Sequence, residues 1–197
     1  MVAVCGIALS SSAACGASIR IGDQPSGGPS CPARTDSSPD RLNGALLLTA
    51  QSVPSAGLVP CLRPLPAGWS YQRLDARKGR ARISLDFEHQ GTHAMTVTLT
   101  RDCDVREATE KVTDQPGTHR YERVDEVSSG YRGERHYVYG GGCITYRFDL
   151  YGSRGEDQIA AISPAIGFVD RSVVRRYVHD YSDGHFELDP TAAGGAG

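Results

Sequence analysis

The chain has 197 residues, a formal net charge of −2 and a sequence pI near 6.3. That length suits one core with tails rather than two full domains, and without a basic stripe the chain lacks the electrostatic footprint of a nucleic-acid binder. Aromatics are 7% of residues, nine Tyr against one Trp and four Phe, too few for a stacking platform spread along the chain, so the core must be mostly aliphatic.

The first stretch, 1–14, reads MVAVCGIALSSSAA: uncharged, small and apolar, it predicts the h-region and cleavage zone of an export signal. No positive side chain precedes Arg20, so the basic n-region of such a signal is absent from it. Ser12-Ala13-Ala14-Cys15 resembles a bacterial lipobox, whose cysteine becomes the lipidated first residue; Ser12 departs from it, standing where that motif has Leu, Val or Ile. The expectation is an anchor at Cys15 or plain secretion, with a cytoplasmic chain whose apolar start is incidental as the remaining alternative. No apolar run reaches the roughly 18 residues that a spanning helix needs.

Residues 15–40 are dense in Gly, Ser, Pro and Asp and too poor in apolar side chains to build a core, which predicts a disordered tether. TAAGGAG at 191–197 predicts a disordered tail, leaving one domain at 41–190. Its first segment, LNGALLLTAQSV, is too short for its apolar run to decide between helix and strand. Next, Pro60, Pro64 and Pro66 forbid a long helix and favour a single turn followed by extended chain. Trp69 is expected in the core.

From there the pattern is β. Ser70 to Leu74 reads as one strand, Arg80 to Phe87 as a second with Ala81, Ile83, Leu85 and Phe87 on one face, and Ala94 to Leu99 as a third with Met95, Val97 and Leu99 aligned. EHQGTH links the second and third as a hairpin. A polar stretch with a Pro116-Gly117 turn leads to a fourth strand from His119 to Val127. The clearest structural statement follows in YRGERHYVYGGGCITYRF, from Tyr131 to Phe148. Here His136 and Val138, then Ile144, Tyr146 and Phe148, alternate with Tyr137, Tyr139, Thr145 and Arg147, so two strands flank Gly140-Gly141-Gly142. A glycine run cradles phosphate where a strand feeds a helix N-terminus; here a strand follows, so the glycines form a turn.

The period changes at Asp170 to Asp180, DRSVVRRYVHD. Val173, Val174, Tyr177 and Val178 share one helical face with Arg171, Arg175 and Arg176 opposite. Gly184 ends this helix and HFELDP is expected to return as a short edge strand. The predicted fold class is α+β: a mostly antiparallel meander of about six strands with a C-terminal amphipathic helix packed on one face.

With Cys5 assigned to the signal and Cys15 to the anchor, Cys31, Cys61, Cys103 and Cys143 remain as disulfide candidates, with three possible pairings. No two are spaced CxxC, which counts against a zinc knuckle or a thioredoxin-like pair. Cys103 and Cys143 sit at strand ends and Cys31 in the tether, which favours Cys103 bonded to Cys143 or to Cys61; buried free thiols are the alternative. Closing the 103–143 loop stabilises the fold by roughly 4 kcal/mol in the chain-entropy account.

Chemistry is harder to find. His89 and His93, with Asp86 and Glu88, flank a hairpin turn, where four-residue spacing does not make a metal face. His119, His136, His179 and His185 are scattered, and His136 reads as a satisfied strand residue. Neither GxSxG, SxxK nor HExxH occurs. Asp102 with Asp104, and Asp125 with Glu126, read as solvated charge, the second pair sent to opposite faces by alternation. The helix arginines could meet anionic lipid at about 1 kcal/mol each. No catalytic, cofactor or metal residue is assigned.

AQSVPSAGLVPCLRPLPAGW, GTHRYERVDEVSSGYRG and YVYGGGCITYRF are similar to extracytoplasmic domains of uncharacterised actinobacterial proteins, lipoproteins among them. The excess of Arg over Lys and the many Ala and Gly fit a GC-rich genome. The resemblance implies an extracytoplasmic location and no particular reaction. The functional expectation is therefore a non-enzymatic envelope-associated domain that binds a protein or another envelope component. Its rivals are an envelope hydrolase with a site built from scattered His and acidic residues, and a small-ligand carrier with a sizeable apolar cavity.

Overall fold

The computed structural model describes residues 27–32, 43–88 and 93–190; Cys5, Cys15, the apolar start, His89 and the 191–197 tail lie outside them. The undecided segment is helix α1 (Gly44–Ser52), begun by Asn43, whose side-chain oxygen accepts from the Leu46 N–H at 2.9 Å. Strand β1 (Leu58–Leu62) follows, with Pro60 tolerated because this strand belongs to a two-stranded ribbon. Within the segment that composition marks as a disordered tether, residues 27–32 form an ordered staple instead. Ser30 bridges Leu62 in parallel, Cys31 is bonded to Cys61, and the Gly28 carbonyl accepts from the Asn43 amide at 2.9 Å. One disulfide and a few backbone bonds hold a segment whose apolar content alone would not.

The main sheet contains β2 (Trp69–Arg77), β3 (Arg80–Phe87), β4 (Met95–Thr100), β5 (Thr109–Lys111), β6 (His119–Glu126), β7 (Gly130–Tyr139) and β8 (Gly142–Tyr151). All neighbours pair antiparallel in the order β2-β3-β4-β8-β7-β6-β5, so the sheet is not one meander. It consists of two runs, β2 to β4 and β5 to β8, with β4 joined to β8. The β7–β8 hairpin turns at Gly141, whose φ of 77° and position against the Ser55 carbonyl oxygen both exclude a Cβ.

This order imposes a crossing. β4 and β5 lie four strand intervals apart, about 19 Å at ~4.8 Å per interval, and nine residue steps reach at most about 30 Å. The 101–108 connection can therefore span that distance by running over a face of the sheet. Alternation places Thr96, Thr98 and Thr100 on the face opposite the core residues Met95, Val97 and Leu99, and Cys143 pairs with Thr100 on that outer face. The Cys103–Cys143 disulfide thus pins the crossover to the outer face.

On the inner face, Ile83, Leu85, Val97, Leu99, Ile144, Tyr146 and Phe148 form the main core. The ribbon lies against it: β1 pairs with β9 (Ile166–Asp170), Phe168 sits edge-on to Tyr137 at 5.0 Å, and the Tyr139 hydroxyl donates to the Leu58 carbonyl at 2.7 Å. Trp69 is buried here, 5.3 Å from Phe87. Short α2 (Gly155–Ile162) and all of β9 but Asp170 fall in 149–169, where the pattern predicted no element.

Helix α3 (Arg171–Tyr181) has the expected span and a different place. It does not cover the sheet. Val174 and Val178 pack with Leu46 and Ala50 of α1 and with Val59 and Cys61 on the ribbon's far side, forming a second small core. A two-sided ribbon supplies that apolar surface, which the expected meander lacked. Arg171 is also not on the polar face: its buried guanidinium donates to the Ala50 carbonyl and, at 3.1 Å, to that of Asp189. The HFELDP segment forms no strand; Leu188 is buried in the second core, and the Asp189 N–H donates to the Gln51 side chain at 3.2 Å.

Peptide mapping of the unreduced protein is expected to return Cys31–Cys61 and Cys103–Cys143 and no other pairing. Removing the second bond with Cys103→Ala and Cys143→Ala should lower unfolding stability by roughly 4 kcal/mol, less any native strain, in urea titrations.

Candidate functional site

Beyond the ribbon, the inner face of β5, β6 and β7 emerges from under the core, and α2 lies along β7 and β8 to make a groove. Strand alternation that sends Tyr137 into the core also turns Tyr131 and Arg135 to this side. Gly155 starts α2 directly on Tyr131, where a Cβ would stand 2.6 Å from the Tyr131 Cβ, so glycine permits the close approach. The helix turns Ile159 and Ile162 inward and places Glu156 and Asp157 in its first turn, where the helix dipole favours carboxylates.

Two open hollows of about 350 and 300 Å³ share Tyr131 and Glu156. The larger adds Arg135, Ile159, Ala160 and Ser163. The Ser163 hydroxyl donates to the Ile159 carbonyl at 2.6 Å and accepts from Arg135 at 3.1 Å, tying helix to strand. Next to the hollow, Arg135 Nε donates to Glu122 at 2.5 Å, and Arg120 Nη2 donates to the same carboxylate at 2.5 Å. Burial raises the Glu122 pKa, but the bonds and charges of the two arginines outweigh it and hold the carboxyl below its ordinary value. Burial, then the Glu122 charge, push the Tyr131 phenol up, so it is a neutral donor. The groove thus offers a guanidinium, three hydroxyls and two carboxylates beside an apolar helix wall, and neither hollow is lined by a histidine.

The outer face carries a different chemistry. One row across the sheet reads Thr98, Thr145, His136, Tyr121, and the next Thr96, Arg147, Glu134, Arg123. His136 is buried under the crossover; its Nδ1 lies 3.0 Å from the Thr145 hydroxyl and its Nε2 lies 3.6 Å from Glu134. Burial lowers the His136 pKa, with the Glu134 and Asp104 charges opposing, so the imidazole is neutral near pH 7. Its ligating atom and the sulfurs of Cys103 and Cys143 lie within 4.8 Å of one another, a metal-ligand set whose two sulfurs are here joined in a disulfide.

The other candidates are dispersed. His93 faces Arg73 at 3.4 Å, and Asp86 is engaged by the Phe87 N–H at 2.8 Å, so these two do not converge on a metal. His119 pairs with Glu110 at 3.1 Å and His179 with Asp180 at 3.3 Å, both exposed. Asp104 is bonded to Arg106, Asp125 to Arg123 at 2.9 Å, and Glu126 to Arg132 at 3.3 Å, so each carboxylate has a cation. Arg175 and Arg176 line a shallow depression on α3 with His179 and Glu187.

None of the groove residues stood out in the sequence. Glu122, Tyr131 and Arg135 are ordinary alternating strand residues, and only the β6–β7 register brings them together. No protein-family model, curated protein or solved structure matches the chain.

Because the folded Glu122 pKa is depressed, its stabilising contribution is complete above about pH 4.3 and is lost as pH falls through the lower folded value. Urea unfolding is expected to show Glu122→Gln less stable than wild type by about 1–3 kcal/mol near neutrality, with the gap closing in acid. A gap independent of pH would contradict the ion-pair account.

Proposed function

We propose that the chain is a non-enzymatic extracytoplasmic domain that binds an envelope component, a polypeptide segment, in the groove between α2 and β7. The observation that carries this reading is Arg135, held by Glu122 and Ser163, in an open hollow walled by Ile159 and Ala160. Fixed charges beside apolar surface match a chain with alternating polar and apolar side chains, which takes both backbone hydrogen bonds and side-chain contacts.

The extracytoplasmic location is supported by two disulfides, which persist in oxidising compartments, and by the resemblance to extracytoplasmic actinobacterial domains. A lipid at Cys15 would hold the domain at the membrane surface. The hydrolase reading is weaker, because His136, with Glu134 beside it, lies buried under the crossover on the face opposite the groove. Against the carrier, the hollows are open and lined by charged side chains rather than enclosed and apolar.

Panning displayed random peptides against the oxidised full chain tests the proposal. Enriched peptides are expected to lose at least tenfold in affinity on Ala160→Trp, which fills the groove, and on Tyr131→Ala. Peptides that bind both variants as well as wild type, or no enrichment at all, would remove the groove as the binding surface.

A further inference from the structure

We propose that the reduced chain binds a thiophilic divalent ion, zinc above all, through Cys103, Cys143 and His136, and that formation of the Cys103–Cys143 disulfide expels it. The three ligand atoms already lie within 4.8 Å of one another. A tetrahedral zinc site with Zn–S of ~2.3 Å and Zn–N of ~2.0 Å spaces its ligand atoms by roughly 3.3–3.8 Å. To reach that spacing the two sulfurs must part, and the wider nitrogen-to-sulfur separation must close by roughly 1 Å. Cys143 is fixed at the start of β8, whereas Cys103 sits in the irregular crossover between exposed Asp102 and Asp104, so the crossover supplies the movement.

The surroundings of His136 suit a ligand. It is 4% exposed, so packing holds the ring in place on its strand. Glu134 Oε2 lies 3.6 Å from Nε2, a negative charge beside the ring. The Thr145 hydroxyl stands 3.0 Å from Nδ1 and 3.8 Å from Cys143 Sγ, between the two ligands. Three protein ligands leave a fourth position for water, a donor set of two thiolates and one imidazole that zinc favours over harder cations.

The chemistry balances without a reductant from the protein. Cysteines are made as thiols, and zinc displaces one proton from each. A disulfide oxidant later takes two electrons from the two thiolates, the S–S bond forms, the oxidant's own S–S bond breaks and its two sulfurs leave as thiols after taking two protons from water, and Zn²⁺ departs with its charge unchanged. The crossover is then pinned to β8 in both states, by the ion before oxidation and by the covalent bond after it.

Cobalt is the probe, because thiolate-bound Co²⁺ absorbs in the near ultraviolet. The anaerobic, fully reduced full-length chain is expected to bind one Co²⁺ with a thiolate charge-transfer band, and added zinc should displace it and raise the melting temperature. The oxidised chain should show neither effect. Cys103→Ser with Cys143→Ser keeps the other four cysteines and should lose the band, while His136→Asn should weaken binding at least tenfold. Adding a disulfide oxidant to the zinc-loaded chain should release one zinc to a chromophoric chelator. A band that survives the double serine change, equal affinity in His136→Asn, or a reduced chain that neither binds cobalt nor gains stability from zinc would overturn the proposal.

Discussion

The Cys103–Cys143 bond is the constraint on which the architecture turns. Joining β4 to β8 leaves β5 at the far edge, so the short 101–108 connection must cross three strands. A polar connection of that kind has little apolar surface with which to adhere to a sheet. The disulfide supplies the attachment, and Arg123 adds an ion pair to Glu107 at 3.4 Å. Once the crossover is held, the outer face over β8 and β7 is occupied, and His136 becomes a buried residue rather than a surface one.

That arrangement divides the labour of the two faces. The inner face gives its centre to the ribbon, through Phe168 against Tyr137 and Tyr146, and leaves its β5–β6–β7 wing to α2 and solvent. The ribbon in turn has a second apolar side that α1 and α3 close over. The groove is therefore what remains of the inner face when the core is complete. Its arginines are held by Glu122 and Ser163, so they present fixed hydrogen-bond geometry rather than mobile charge. Rigid donors of this sort lower the ordering cost of binding.

What was legible in the sequence follows physical lines. The Tyr131–Phe148 hairpin, the β3 and β4 strands and α3 all carry a long enough pattern to announce their period, and each lies within a residue or a few of its expected limits. The antiparallel α+β class follows from them. Strand order was not legible, because nothing local says that β4 prefers β8 to β5. Neither were GEDQIAAI, eight residues with two inward isoleucines, nor the three-residue β5, since both are shorter than any period they could show. The 27–32 staple was hidden by a composition that reads as linker, although Cys31 was a candidate all along. The groove was invisible for a further reason: Glu122, Tyr131, Arg135 and Ser163 come from two strands and a turn, and only register and helix placement make them neighbours.

The disulfide, through the crossover, holds the β5–β6 wing to the sheet. Native-state hydrogen exchange on metal-free Cys103→Ser, Cys143→Ser protein tests it most directly. Amides of 101–108, β5 and β6 should lose protection while β2, β3 and β4 keep theirs, marking the wing as a separately held unit. Unchanged protection across the wing, or equal loss over all seven strands, would contradict the account.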